Sequence, residues 1–402
     1  MFFCIEMPEI ARTEKILNNI LSAFSHTYET CKLILKCYTG RSVKLCYRPD
    51  LDARMIVDKT TSAINLHTPT TIKPQEGNPK PFLDFLAYMF PNPTECKEIM
   101  RWVATLIAKR DIRMEYGLLL VSETQGIGKS TLGTSILGPL VGFQNVGIPA
   151  ENDIVNSEFN DWIANKRLVV VHEIYSGHSW KAYNRLKSLI TDNDISVNQK
   201  YQRRYTIDNW CHIIACSNSM RALKIETDDR RWFYPQVSEV RWPKQKFVEF
   251  RKWLAGGGLS IILRWAKDHG DYVFPGERAP MTARKLELIE ESRSEAQIEA
   301  IQIAEAMAER QGPCALSMKE VVAHLRSVAQ GQVFDSDYEI RKAMAERGVK
   351  PFKKRIKLFG VMQHVMINPV LMSVVEEMED VFATDAIRNN LGSIRDFVTS
   401  EM

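Results

Sequence analysis

A glycine-rich string is the first part of the sequence whose residue types and spacing could perform chemistry. SETQGIGKST, residues 122–131, follows the apolar run YGLLLV and precedes the helical run TLGTSILGPL. A strand, a glycine-rich turn and a helix in that order present backbone amides and a helix dipole to phosphate groups. Gly126 and Gly128 let the backbone curl towards such a ligand. The string therefore predicts a nucleotide-binding loop, and a glycine-rich turn that merely contains GKS is the alternative.

Two side chains of this string have predicted roles towards ATP and Mg²⁺. Lys129 would reach the β and γ phosphates, and the hydroxyl of Ser130 would coordinate Mg²⁺. Glu123 departs from the usual pattern, because it stands where glycine is common and adds bulk and negative charge near the phosphates. The nucleotide-binding set is predicted to comprise Thr124, Gln125, Gly126, Ile127, Gly128, Lys129, Ser130 and Thr131.

Three later segments supply further candidate catalytic residues. KRLVVVHE reads as a buried strand ending at His172 and Glu173, where Glu173 could act as a general base and bind Mg²⁺ partly through water. His172 offers no anionic charge where Asp would be commoner, and the pair could instead cap a surface strand. CHIIACSN ends at Asn218, which could hold the attacking water or be a turn former. Arg230 and Arg231 could stabilise phosphoryl charge or form surface salt bridges.

Two basic segments are candidate DNA contacts. In the first, Lys200, Arg203 and Arg204 alternate with tyrosines, a mixture suited to contacting phosphates and stacking bases, although it also suits a solvated hairpin. The second carries Lys353, Lys354 and Arg355, flanked by Lys350 and Lys357. It follows two or three short helices and has the pattern of a β-hairpin, which is the order of a winged helix. A basic edge that blocks aggregation is the alternative.

These residues require an α/β fold to bring them together. YGLLLV, KRLVVVHE, ISVNQKY and NWCHIIACSN are short, rich in β-branched residues and separated by helical or loop segments, as in an α/β sheet. The remaining pattern predicts a 1–75 N-terminal α+β region, a 76–115 helical collar, a 116–240 P-loop ATPase core, a 241–300 helical segment, a 301–372 winged-helix-like domain and a 373–402 tail. In the first of these, IARTEKILNNILSAF favours a helix, and CKLILKCY and SVKLCY are β-prone runs.

The order of the motifs within residues 82–240 closely resembles the superfamily 3 helicases, and more narrowly the phage and plasmid helicase domains that accompany primases. The resemblance implies an AAA+ core, a homo-oligomeric ring that is usually a hexamer, ATP hydrolysis between subunits and 3′ to 5′ movement on single-stranded DNA. It places Lys129 and Ser130 in the first motif and Glu173 in the second. Carried over in the same way, Asn218 is the sensor, Lys200 lies in the channel hairpin, and Arg230 or Arg231 acts across the subunit interface.

Composition is compatible with these expectations but does not decide between the possible functions. A net charge of +4 tilts a 402-residue chain towards polyanions such as single-stranded and forked DNA, yet it is too small to identify such a partner. Eight irregularly spaced cysteines favour reduced thiols, no zinc site and a cytoplasmic location, in a bacterial host cell if the chain is phage-encoded. No apolar run is long enough to span a membrane.

Three functions remain open at this point. A translocating helicase of phage or mobile-element replication is the first, with a primase or polymerase acting in trans or fused before Met1. A nucleic-acid-binding ATPase switch that does not translocate is the second. An inactive ring scaffold is the third, since Glu123 and His172 both depart from the commonest pattern.

Overall fold

A computed structural model describes most of the chain beyond residue 43. The described residues are 2–3, 11–12, 16, 19–20, 44–57, 62–173, 180–200, 203–218, 229–291, 293–328 and 336–398. The chain divides into two compact units, Met1–Glu290 and Glu291–Met402. None of the described helices combines the length and apolar character needed to cross a bilayer.

The first unit opens with short strands and continues as alternating strands and helices. In chain order its strands and helices are β1 (Phe2–Phe3), β2 (Ala11–Arg12), β3 (Lys44–Cys46), β4 (Met55–Val57), β5 (Ser62–Asn65), α1 (Lys80–Met89), α2 (Pro93–Ala108), β6 (Gly117–Val121), a π-helix (Thr131–Leu137), α3 (Gly138–Val141), β7 (Val146–Gly147), α4 (Glu151–Val155), β8 (Leu168–Val171), α5 (Trp180–Thr191), β9 (Asp194–Val197), β10 (Tyr205–Asp208), β11 (His212–Ser217), β12 (Trp232–Phe233), α6 (Lys244–Trp253), a π-helix (Leu254–Gly258), α7 (Leu259–Asp268) and α8 (Ala283–Glu291).

Five parallel strands form the central sheet of this unit, in the order β12, β6, β11, β8, β7. Successive residues of β6 point to opposite faces, so that Leu118 and Leu120 pack against α1, α2 and α7, whereas Leu119 and Val121 pack against α5 and α8. Both faces are therefore covered, as a parallel sheet requires. The predicted α/β fold is confirmed, and its sheet is parallel.

The sheet order brings three strand ends together. β11 pairs with β6 on one side and with β8 on the other, in parallel register. The carboxyl ends of all three strands consequently lie at the same edge of the sheet, and each is followed by residues with predicted chemistry. This carboxyl edge positions the candidate site.

The predicted strand at ISVNQKY does not join this sheet. Asp194–Val197 pairs instead with Tyr205–Asp208 in a separate antiparallel hairpin. Its side chains alternate between exposed and buried, whereas those of β8 are all buried. Such alternation is typical of a strand with one face exposed to solvent, so this segment lies outside the central sheet, both of whose faces are covered. Strands β7 and β12 complete the sheet with two residues each, which is too short for a sequence pattern to reveal.

The N-terminal strands form small sheets of their own. β5 pairs in parallel with β3 and antiparallel with β4, and β1 pairs with β2. A strand was expected in SVKLCY, and Lys44–Cys46 supplies it. The helix predicted at 10–24 lies mostly outside the described residues, and the β-prone run at 31–38 lies wholly outside them.

The second unit contains helices followed by a small β structure. Its elements are α9 (Glu295–Glu309), β13 (Ala315–Ser317), α10 (Met318–Val328), α11 (Asp337–Ala345), β14 (Lys350–Pro351), β15 (Ile356–Leu358), β16 (Val361–Gln363), β17 (Val365–Ile367), α12 (Pro369–Glu376) and α13 (Asp380–Asn389). β17 pairs antiparallel with both β13 and β14, while β15 and β16 form a two-stranded hairpin. Short helices followed by a hairpin is the order that the sequence predicts for this region.

Candidate functional site

A cavity of about 350 Å³ opens at the carboxyl edge of the central sheet. Three groups of residues line it: the glycine-rich loop with the start of its helix, the residues after β8 and around the end of β11, and one face of α6. They are Gln125, Gly126, Ile127, Gly128, Lys129, Ser130, Thr131, His172, Glu173, Cys216, Ser217, Asn218, Phe247 and Arg251. A cavity of this volume falls in the range of small-molecule sites.

Two glycines shape the loop. Gly126 and Gly128 have φ angles of +80° and +114°, which side-chain-bearing residues rarely adopt. A Cβ atom at Gly128 would lie 2.8 Å from the ring of Phe85 on α1, so the close approach of loop and helix also requires glycine there. The loop ends where the π-helix Thr131–Leu137 begins, as the strand, loop and helix order of the sequence predicts.

Lys129 points across the carboxyl edge and joins the loop to β11. Its Nζ donates hydrogen bonds of 2.8 Å to the carbonyl oxygen of Ser122 and 2.8 Å to Oδ1 of Asn218. Burial lowers the pKa of the ammonium group, and the nearby carboxylates of Glu239 and Glu173 oppose that shift. The amine of Lys129 and the amide of Asn218 thus face the same cavity, although 89 residues separate them along the chain.

The residues after β8 lie beside Ser130. Ser130 Oγ lies 3.4 Å from Nδ1 of His172, and both residues line the cavity. Burial lowers the pKa of His172, so the imidazole is neutral at pH 7 even though the Glu173 carboxylate opposes the shift. Glu173 is exposed and has a φ angle of +53°, which is strained for a residue with a side chain. Strain of this kind concentrates at functional sites.

Glu239, which sequence reasoning missed, holds the start of the loop. Its Oε1 accepts a 3.1 Å hydrogen bond from the amide of Glu123, and its Oε2 accepts 2.9 Å and 3.1 Å bonds from the Thr124 amide and Ser122 Oγ. Burial raises the pKa of Glu239, but these hydrogen bonds lower it by more. No sequence signal marks Glu239, because it follows β12 and lies 115 residues from Thr124. It does not line the cavity.

Two further residues from α6 line the cavity, and the sequence did not single them out. Phe247 and Arg251 are four residues apart and so share one face of α6. The guanidinium of Arg251 lies 4.8 Å from the ring centroid of Phe247, within the range of a cation–π interaction. The spacing of four residues indicates that the two side chains lie on the same face of α6, but it does not indicate what that face contacts.

Arg230 and Arg231 do not line the cavity. They precede β12, which begins beside Gly117 at the amino edge of the sheet, opposite the loop. Asp229 accepts hydrogen bonds from the amides of Arg231 and Trp232, and it forms a fully buried ion pair with Lys285 at 3.4 Å. Of the two arginines, Arg230 is exposed, whereas the Arg231 guanidinium turns back to within 3.8 Å of Asp229.

The first predicted DNA-contacting segment lies in a hairpin connection. Lys200, Arg203 and Arg204 are exposed between β9 and β10. The neighbouring Tyr201 lies outside the described residues, and Tyr205 is half-buried at the start of β10. The hairpin that the sequence predicts is therefore present, with its basic side chains on the surface.

The second predicted DNA-contacting segment lies in the other unit. Lys353 and Lys354 are exposed and share the carboxylate of Asp380, which lowers the pKa of that group to about 2. Nε of Arg355 lies 3.3 Å from Nε2 of His364. The positive charge of this segment is thus only partly neutralised.

The cavity offers few metal ligands of its own. In the described ranges no group of three or more His, Cys, Asp and Glu side chains is arranged to hold a metal ion. The Ser130 hydroxyl and the Glu173 carboxylate fit a cation such as Mg²⁺, which binds through one or two carboxylates and takes its other ligands from water and phosphate. Cys216 lines the cavity as a buried free thiol.

The fold and site define a protein with a parallel α/β sheet whose carboxyl edge carries a glycine-rich loop, a lysine, an asparagine and a glutamate. A family model described as a family of unknown function, DUF5906, matches residues 120–231, which contain that loop and all these side chains. The DNA primase-polymerase of Nitratiruptor phage NrS-1 is 26% identical over a 212-residue alignment, and the match covers 48% of this chain. The match covers only 29% of that relative's own length.

Solved structures reproduce the fold over most of the chain. An apo structure of the NrS-1 C-terminal region, its A form, superposes with a TM-score of 0.57 over 84% of this chain and 89% of the other, at 18% identity. A second apo structure of that region gives 0.57 over 86% and 89%, at 18% identity. At this level of identity the likeness establishes a shared fold.

Proposed function

We propose that this chain binds and hydrolyses ATP and uses hydrolysis to move on single-stranded DNA, as superfamily 3 helicases do. One observation carries the proposal: the ends of three neighbouring parallel strands bring Lys129, Asn218 and Glu173 to a single cavity formed by a glycine-rich loop. The Lys129 to Asn218 hydrogen bond of 2.8 Å supports it, because it places an ammonium group and a neutral acceptor where a terminal phosphate would bind.

The loop and four side chains of the cavity have roles in this proposal. The amides of the loop bind the phosphates, aided by the positive φ angles of Gly126 and Gly128, and Lys129 neutralises the β and γ oxygens. Ser130 and Glu173 would hold Mg²⁺, which when bound supplies positive charge to the phosphates. Glu173 orients and deprotonates the attacking water, and Asn218 holds that water or the γ-phosphate in line.

The residues outside the cavity complete the motor. Arg230 is exposed at the sheet edge opposite its own cavity, so in this proposal it serves the cavity of a neighbouring copy in an AAA+ ring, a hexamer by resemblance. Lys200, Arg203 and Arg204 contact the single strand. The second unit acts as a winged helix whose Lys353, Lys354 and Arg355 contact duplex at a fork.

The biological setting is proposed from the curated relative. The matching relative is a phage DNA primase-polymerase. Replication of a phage or other mobile element therefore suits this chain, with 3′ to 5′ movement and a primase or polymerase as partner, in trans or in the same polypeptide.

The position of Glu123 favours an active site over an inactive scaffold. Its side chain is exposed and does not line the cavity, while its backbone amide is bound by Glu239. The carboxylate of Glu123 accordingly lies outside the cavity in which the phosphates would bind. Because His172 beside Ser130 is neutral, it does not repel a Mg²⁺ ion held by Ser130 and Glu173.

Steady-state ATP hydrolysis with and without single-stranded DNA tests the proposal. We expect DNA to stimulate turnover and Lys129→Ala to reduce it to background, because Arg251, the other lysine or arginine among the described residues that line the cavity, lies on α6 and not in the loop. Lys244→Ala, an exposed lysine at the start of α6, is the matched control and should behave as wild type. A wild-type rate equal to that of Lys129→Ala would refute the ATPase. A rate that DNA does not change would favour the ATPase switch without translocation.

A further inference from the structure

The hairpin of β15 and β16 has an aromatic residue at its tip. Leu358 pairs with Val361, so Phe359 and Gly360 form a two-residue turn. Both have positive φ angles, +50° and +81°. Turns of this kind favour Asn, Asp or Gly at both positions, because a bulky side chain at positive φ collides with its own backbone. Phe359 is therefore placed at the tip against local backbone preference.

The ring of Phe359 is directed into solvent from an anchored support. Its side chain is 88% exposed, and those of Val361 and Met362 beside it are 47% and 55% exposed. On the other face of the hairpin, Ile356 and Leu358 are buried in an apolar cluster with residues of β17, α12 and α13. Because that face is anchored, the backbone that carries Phe359 is anchored as well.

The approach to the tip is positively charged. Residues 353–357 read KKRIK, so four cations precede the turn. Asp380 pairs with two of them, Lys353 and Lys354. Lys357 is exposed on the outer face of β15, opposite Met362. A polyanion fits a surface with this excess of positive charge.

We propose that Phe359 stacks on a base of bound DNA, at the end of a duplex or in the adjoining single strand, while Lys357 and its neighbours contact the backbone. The flat ring of Phe359 matches the face of one base, and the excess of positive charge beside it matches the phosphate backbone. The inference rests on the proposed function only in that the chain binds DNA. It adds a contact with a DNA base to the segment of Lys353, Lys354 and Arg355, for which the proposed function gives only contacts of basic side chains with duplex DNA.

Forked DNA carrying 2-aminopurine at its junction tests the inference with the full chain. Stacking on Phe359 should quench the fluorophore, and Phe359→Asn should abolish the quenching and weaken binding roughly 5- to 150-fold, the range for loss of one base–aromatic stack. Asn accepts positive φ, so this variant should fold at least as stably as wild type. Phe359→Trp should retain quenching and affinity.

Phe382→Asn is the matched control, because Phe382 is an exposed aromatic residue of the same unit and is 64% exposed. Unchanged quenching in Phe359→Asn would overturn the inference and would favour a protein as the partner that the tip of the hairpin binds. Equal losses in Phe359→Asn and Phe382→Asn would overturn it too, as would wild-type protein that binds no fork. ATPase activity is measured in parallel. If quenching depends on Phe359 but DNA does not stimulate hydrolysis, the motor is refuted and the stacking stands. If DNA stimulates hydrolysis but quenching does not depend on Phe359, the stacking is refuted and the motor stands.

Discussion

In the proposed ATPase, Glu239 should control how tightly the loop binds nucleotide without taking part in the reaction. Both of its carboxylate oxygens accept hydrogen bonds from the loop, from the Glu123 amide and from the Thr124 amide with Ser122 Oγ. Glu239→Gln replaces one acceptor with an NH₂ group, which must face another donor. The change therefore loses at least one charge-assisted hydrogen bond and weakens the others.

The size of the effect follows from the exposure of these groups. A hydrogen bond to a charged group contributes about 1.5–3 kcal/mol when protected, and water replaces part of it at a surface, so we take about 1 kcal/mol for Glu239→Gln. Expressed wholly in binding, this is roughly a fivefold rise in the dissociation constant for ATP. Glu239→Ala removes every side-chain hydrogen bond, keeps the one that Thr124 Oγ1 donates to the backbone carbonyl of residue 239, and should weaken binding about tenfold or more. The turnover number at saturation should stay near wild type, because Glu239 does not line the cavity.

Titration of a fluorescent ATP analogue, with hydrolysis followed in parallel, measures both quantities. Glu249→Gln is the matched control: it makes the same charge change on exposed Glu249, which accepts a hydrogen bond from Gln245 on α6. Dissociation constants within twofold of wild type for both Glu239 variants would refute the reasoning. A fall in turnover with unchanged affinity would also refute it, since it would place Glu239 in the chemical step.

Two other substitutions test roles assigned in the proposed motor. Glu173→Gln should retain ATP binding and reduce hydrolysis at least about 100-fold, the contribution of a general base, as single-turnover assays would show; near-normal hydrolysis would remove Glu173 from that role. Arg230→Ala protein mixed with wild type should inhibit more than its share of the mixture, whereas Arg231→Ala, whose guanidinium turns towards Asp229, should act mainly on stability. A linear decline with the fraction of Arg230→Ala subunits would show that Arg230 does not act across subunits.

The sequence predicted the candidate site best where an apolar run, typical of a buried strand, is followed directly by a polar residue that could bind or react. The apolar runs around β6, β8 and β11 are fully buried strands, and their ends could be read directly because a polar residue follows each run. Parallel pairing then brings those ends to one edge, where Lys129, Glu173 and Asn218 line one cavity. The sequence pattern does not indicate the order of the strands in the sheet, and that order makes the three residues neighbours.

What the sequence could not reveal depends on tertiary contact. The run containing Ile195 had the composition of a sheet strand, but its alternating burial belongs to a separate hairpin. Glu239 and Arg251 reach the loop and cavity through chain segments with no distinguishing composition. Arg230 and Arg231 are adjacent and chemically alike, and only the buried Asp229 distinguishes the exposed side chain from the one turned inward.

The position of Arg230 has a consequence for symmetry. It lies at the amino edge of the sheet, and the cavity lies at the carboxyl edge. If the arginine of one copy serves the cavity of the next, two different surfaces meet at every contact. Such a heterologous contact is not self-complementary and cannot close as a two-fold dimer; repeated, it forms a ring when its rotation divides a full circle, and an open helical filament otherwise. The angle between neighbouring copies then decides which assembly forms.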